Sequence, residues 1–134
     1  VKLQADPKQS LNTVTRYDRS FIEINEVRFT ESILVMPEGF IEPWKVNTFA
    51  ELNLNHFLHI LDKRPALVIF GSGSKLRFPT VHLLQDIIHA RIGFETMDTQ
   101  AACRTYNVLM SEGRFVMGAF LMETEPLPNP TAQA

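Results

Sequence analysis

The most constraining stretch of this sequence is ALVIF, residues 66–70, set between Pro65 and the loop Gly71-Ser72-Gly73-Ser74. Five apolar residues without a polar interruption cannot form a strand with one wet face. A short run of this kind reads as a strand buried on both sides, and such strands sit in sheets that carry helices on both faces. The rest of the chain has to supply those helices.

It does so by alternation. From Asn53, the stretch LNHFLHIL places Leu54, Phe57, Leu58 and Leu61 at helical spacing. Lys63 and Arg64 suit the C-terminal end of this helix, and Pro65 stops it. After the glycine loop, Pro79 fits the first turn of a second helix whose buried face is Leu83, Leu84, Ile87 and Ile88. Gly93 ends that helix, and FETM reads as a short strand. Asp98 is a good N-cap for a third helix running to about Ser111, with Gly113 just past its end. RFVMGAFLM is the last strand, and its apolar character predicts a central position in the sheet.

The stretch before Asn53 is β-rich. Phe21, Ile22 and Ile24 predict a strand, Asn25-Glu26 a turn, and Val27-Arg28-Phe29 and Ile33-Leu34-Val35 further extended pieces. FIEPWKV reads as an edge strand, because Pro43 has no N–H to donate to a ladder. The expected fold class is α/β: a three-layer sandwich with a mixed central β-sheet and a β-rich N-terminal part. Residues 1–19 are polar and read as a mobile arm. Residues 20–123 form the single α/β domain, and 124–134, with three prolines, read as a disordered tail.

Composition narrows the function classes. A formal net charge of −2 argues against a general nucleic-acid binder, which usually carries a basic excess. No apolar run approaches the roughly 20 residues of a membrane span. The N-terminal stretch lacks the apolar region of a signal peptide. The single cysteine fits a reduced compartment, so a cytoplasmic location is expected.

Three stretches invite chemistry. Gly71-Ser72-Gly73 follows a strand, which suggests a phosphate loop, with Lys75 or Arg77 assisting. Leu76 stands where a dinucleotide fingerprint needs a third glycine, and the P-loop spacing is absent. The loop therefore reads either as a plain turn out of a buried strand or as an anion site. His82, Gln85, Asp86 and His89 share one face of the second helix, but no closing ligand accompanies them, and the face opposes the apolar stripe. His56 and His59 make no stronger case. On the third helix, Cys103 falls at the edge of the apolar face formed by Ala102, Tyr106, Leu109 and Met110. It reads as a packed thiol ahead of a nucleophile. Arg104, Asn107 and Ser111 form a polar stripe followed by Glu112 and Arg114. That stripe is either a solvated face or one whose arginine bridges elements or holds an anion.

Residues 93–121, GFETMDTQAACRTYNVLMSEGRFVMGAFL, resemble a family of small α/β domains. Its members include mitochondrial respiratory complex I assembly factor 3 and the adipogenesis-associated domain protein, together with many short bacterial and archaeal relatives. The likeness covers roughly residues 20–122. It is strongest at Asp98-Thr99, Ala102-Cys103-Arg104-Thr105-Tyr106-Asn107 and Glu112-Gly113-Arg114, which match the bacterial pattern. Val68 to Gly73 match a second motif, in which Ser72 replaces the more usual threonine. The resemblance implies a three-layer domain in which the glycine loop and the start of the third helix lie close together. It implies no established catalytic activity and no cofactor or metal.

Two functions follow as expectations. The first is a non-catalytic interaction or assembly factor, with Trp44 on the edge strand and Arg114 as partner-binding candidates. The second is a small-molecule or anion-binding protein, with enzymatic activity left open, using Gly71, Ser72, Gly73, Asp98, Thr99, Arg104 and Asn107. A protein partner of unspecified identity is expected, and the chain itself is expected as a monomer or a homodimer.

Overall fold

The computed structural model describes residues 11–123. Eight strands and three helices form two sheets and the layers that cover them. In chain order they are β1 (Val14–Tyr17), β2 (Ile22–Ile24), β3 (Val27–Phe29), β4 (Ile33–Val35), β5 (Glu42–Pro43), α1 (Leu54–Asp62), β6 (Leu67–Gly71), α2 (Val81–His89), β7 (Gly93–Met97), α3 (Thr99–Ser111) and β8 (Val116–Phe120). The central sheet has the order β5-β4-β8-β6-β7, and β1-β2-β3 form a separate antiparallel sheet. Strand β6 runs parallel to both neighbours, whereas β4 is antiparallel to β8 and β5, so the central sheet is mixed.

The period-2 rule assigns each side chain to a layer. Val68 and Phe70 of β6, Met117 and Ala119 of β8, and Leu34 of β4 point to one face, where Phe57 and Ile60 of α1 and Ile87 of α2 cover them. Ile69, Val116, Phe120, Ile33 and Val35 point to the other, against Ala102, Cys103, Tyr106 and Met110 of α3. Val14, Ile22 and Ile24 of the small sheet complete that second layer. The expected three-layer α/β sandwich forms, with β8 central and β5 at an edge.

Local signals account for most boundaries. Asn53 closes a capping box with His56 at the start of α1, and the Asp98 carboxylate accepts from Ala101 N at 3.0 Å at the start of α3. Gly113 ends α3 with φ of +83°, a conformation that a Cβ disfavours.

Four expectations need correction. Val14–Tyr17 pairs with β2, so the last part of the expected arm is a strand; residues 1–10 and the expected tail at 124–134 lie outside the described residues. Pro79 is not in the first turn of α2: Thr80 is the N-cap and the helix starts at Val81. Ile88 is exposed, not part of the buried face of α2. On α1 the face is rotated toward Ile60, which is fully buried, while Leu54 and Leu58 stay exposed.

Candidate functional site

The C-terminal end of β6 meets the N-terminal end of α3 at unusually close range. A Cβ on Gly71 would lie 2.8 Å from Thr99 Cα and 3.2 Å from Ala102 Cβ, so only glycine admits this approach. Polar contacts then lock the two together. Gly73 N donates to Thr99 Oγ1 at 2.8 Å, Thr99 N donates to the Gly73 carbonyl at 2.9 Å, and the Thr99 hydroxyl donates to the Leu121 carbonyl at 2.8 Å. Gly73 takes φ of +101° to make this turn. One buried threonine thus ties the loop after β6, the start of α3 and the exit of β8.

Ser72 and Arg77 hold the other side of the loop. The Ser72 hydroxyl donates to the Lys75 carbonyl at 2.6 Å and accepts from Arg77 N at 3.0 Å. Arg77 Nη2 donates to the Ser72 carbonyl at 2.6 Å and to Glu123 Oε1 at 2.5 Å. Glu123 Oε2 also accepts from Phe49 N at 2.8 Å. Burial pushes the Glu123 carboxyl upward, but the Arg77 and Phe49 hydrogen bonds and the charges of Arg77 and Lys75 outweigh it and hold the group below its usual range. Sequence offered no signal for this clamp, since its two ends lie 46 residues apart and Glu123 borders a polar tail.

A groove of about 850 Å³ opens over this junction. Gly73, Asp98 and Thr99 line it, with Asp18, Arg19, Glu31, Gln100 and Glu123 among the others. Three of the expected site residues therefore share one groove wall. Among the described residues its charge is lopsided, with the carboxylates of Asp18, Glu31, Asp98 and the Arg77-paired Glu123 against the guanidinium of Arg19. The N–H groups of Gly73, Thr99, Ala101 and Ala102, which an anion would use, are committed to protein oxygens.

Of the other four expected ligand residues, Gly71 and Ser72 form the loop itself but do not line the groove, and Arg104 and Asn107 lie elsewhere. Arg104 Nη1 donates to the Tyr17 hydroxyl at 3.0 Å on the exposed side of α3. Asn107 bonds the backbone of Val14. Both link α3 to β1. Cys103 is buried, and desolvation pushes its thiol up to about 12, with Arg104 opposing and Asp98 adding to the shift. His56 and His59 are engaged structurally, His56 with Asn53 N and the Lys45 carbonyl and His59 with Glu42. Among the described residues, no three His, Cys, Asp or Glu side chains gather to hold a metal ion.

A family model described as a protein of unknown function, DUF498/DUF598, matches residues 14–121. The chain belongs to this family. Two similar proteins are each named NADH dehydrogenase (ubiquinone) 1 alpha subcomplex assembly factor 3. The protein from Xenopus tropicalis is 25% identical over 122 residues, covering 90% of this chain and 66% of its own length. That from Bos taurus is 30% identical over 116 residues, covering 85% and 60%. The chain thus spans less than two thirds of either relative. A crystal structure of a Bordetella parapertussis protein is 36% identical with a TM-score of 0.81, covering 85% of this chain and 98% of that one.

Within this DUF498/DUF598 domain, Trp44 is not the exposed aromatic the sequence suggested. It is 3% exposed, donates from Nε1 to the His56 carbonyl at 3.3 Å, and packs edge-on against Phe57 and Phe70. A two-residue edge strand lets the following chain turn inward, which the edge assignment alone did not reveal. Arg114 is exposed just past the end of α3. One run of exposed apolar side chains spans the loop into α2 and its first residue, where Leu76, Phe78 and Val81 are 55%, 68% and 69% exposed. No helix among the described residues is long and apolar enough to cross a membrane.

Proposed function

We propose that the chain is a non-catalytic assembly factor of the cytoplasm that works by holding protein partners. The observation that carries this reading is the alignment of 90% of the chain with a protein named as an assembly factor of an NADH dehydrogenase subcomplex. The clients implied are subunits of a respiratory complex before they join it. The exposed run Leu76, Phe78 and Val81 supports the reading, because three large apolar residues held in water along one short segment suit a protein contact. Arg114 is a second candidate contact. The test is affinity capture from the native cell with mass spectrometry, comparing wild type with Phe78→Asp and Arg104→Ala of confirmed fold. Respiratory-complex subunits captured by wild type and lost with Phe78→Asp support the proposal. Recovery of no specific partner, under conditions that preserve a known complex, removes it.

A second reading rests on the groove over Gly73, Asp98 and Thr99, whose volume suits a small ligand. Its carboxylate-rich lining favours a cationic or hydrogen-bonding ligand over an anion. A thermal-shift screen of amines against organic and inorganic anions tests it. Stabilisation by anions alone would reverse the charge argument, and no stabilisation by either class would end this reading.

A further inference from the structure

The loop between β4 and β5 carries a phenylalanine with its side chain in water: Phe40 is 96% exposed. The loop is firmly held. Asn12, itself buried, donates from Nδ2 to the Met36 and Gly39 carbonyls at 2.9 Å each, and its N–H donates to the Pro37 carbonyl at 2.8 Å. Gly39 supplies the turn with φ of +96°. Leaving such a ring in water forgoes the stabilisation that burial would return. A rigid loop that presents an aromatic side chain has the character of a preorganised interface anchor.

A pocket is walled by the residues on either side of Asn12. Leu11 and Thr13, the neighbours of Asn12, line a pocket of about 390 Å³ together with Asn107, Val108, Met110 and Ser111 of α3. Asn12 therefore joins knob to hole: its side chain fixes the Phe40 loop, and the residues on either side of it wall the pocket. A knob and a hole joined through one residue can form an isologous contact, each copy giving its knob to the other about a two-fold axis. The charges agree. Glu38, exposed on the knob loop, is negative, and Arg114, exposed past the pocket-lining end of α3, is positive. Neither is ion-paired among the described residues.

We infer that the chain forms a two-fold homodimer in which Phe40 of each copy fills the pocket beside Val108 of the other. This stands apart from the assembly reading, since its test reads mass and not client capture.

The experiment is sedimentation equilibrium of the full chain over a concentration series. Wild type reaches twice the chain mass. Phe40→Asp weakens association by about 30-fold or more, as expected for an interface anchor, with an unchanged thermal melt. Val108→Arg, at an exposed position on the pocket, blocks the hole with the same result. An equal mixture of the two variants keeps one intact knob and one intact hole, so it dimerises where neither variant does alone. A wild type that stays monomeric throughout overturns the inference, as does a dimer indifferent to Phe40→Asp. A mixture that fails to associate where wild type is wholly dimeric overturns the two-fold form.

Discussion

Asn107 binds both backbone groups of Val14: its Oδ1 accepts the N–H at 2.9 Å and its Nδ2 donates to the carbonyl at 2.8 Å. A side-chain amide here does the work of a neighbouring strand. It satisfies groups of β1 that β2 does not, and it fixes the small sheet on α3. Asn107→Ala leaves both groups without their partner, at an expected cost of about 1–3 kcal/mol in urea unfolding. Amide exchange at Val14 should quicken while exchange in β6 at the global limit falls only by the loss of stability. Unaltered protection at Val14 would show that the amide is dispensable.

The junction of β6 with α3 gives a paired prediction. Gly71→Ala drives a methyl group into backbone at Thr99, which cannot rotate away, and should destabilise by about 1–3 kcal/mol. Thr99→Val keeps the shape but strands the Gly73 N–H and the Leu121 carbonyl, with a loss of similar size, about 1–3 kcal/mol. Thr99→Ser retains the hydroxyl and should recover most of it. Equal stability of the valine and serine variants would refute the role given to the Thr99 oxygen.

Stability should fall in acid partly through Glu123. Its folded carboxyl titrates below its ordinary value of 4.5, so its contribution is complete above that value and is lost as pH falls through the lower folded value. Glu123→Gln should therefore be less stable than wild type near neutral pH and should converge with it in acid. Curves that stay parallel down to the acid transition would contradict the Arg77 clamp.

At the alkaline end the sign reverses for Cys103. The folded thiol is held neutral to about 12, from an ordinary value of 9.0. Its contribution is complete below the unfolded value and is lost as pH rises through the interval between the two. In the native protein at neutral pH, alkylation by a small reagent should be limited by opening of the fold, and urea should accelerate it sharply. Rapid native labelling would restore the case for a reactive thiol.

Much of this architecture was legible in the sequence because short-range patterns determine it. ALVIF announced a doubly covered strand, Asp98 and Gly113 marked the ends of α3, and Pro43 marked an edge. The failures have a common cause. Trp44, Ile60 and Ile88 differ from expectation because a helical or strand period gives a face, while the neighbouring elements decide where that face is covered. The groove was half visible: the glycine loop and Asp98-Thr99 meet as the family likeness implied. The Arg77–Glu123 clamp and the Asn107–Val14 bridge join residues 46 and 93 positions apart, and no local pattern encodes such distances.

The position of β8 bears on how the chain is made. It lies between β4 and β6, yet it follows both of them, and β7, in chain order. Until Phe120 has left the ribosome, β5-β4 and β6-β7 have nothing to join them, and each pair presents an open edge with a half-covered apolar face. A nascent chain cut short before β8 would be a sticky pair of fragments, so closure of the sheet waits for five residues, Val116–Phe120.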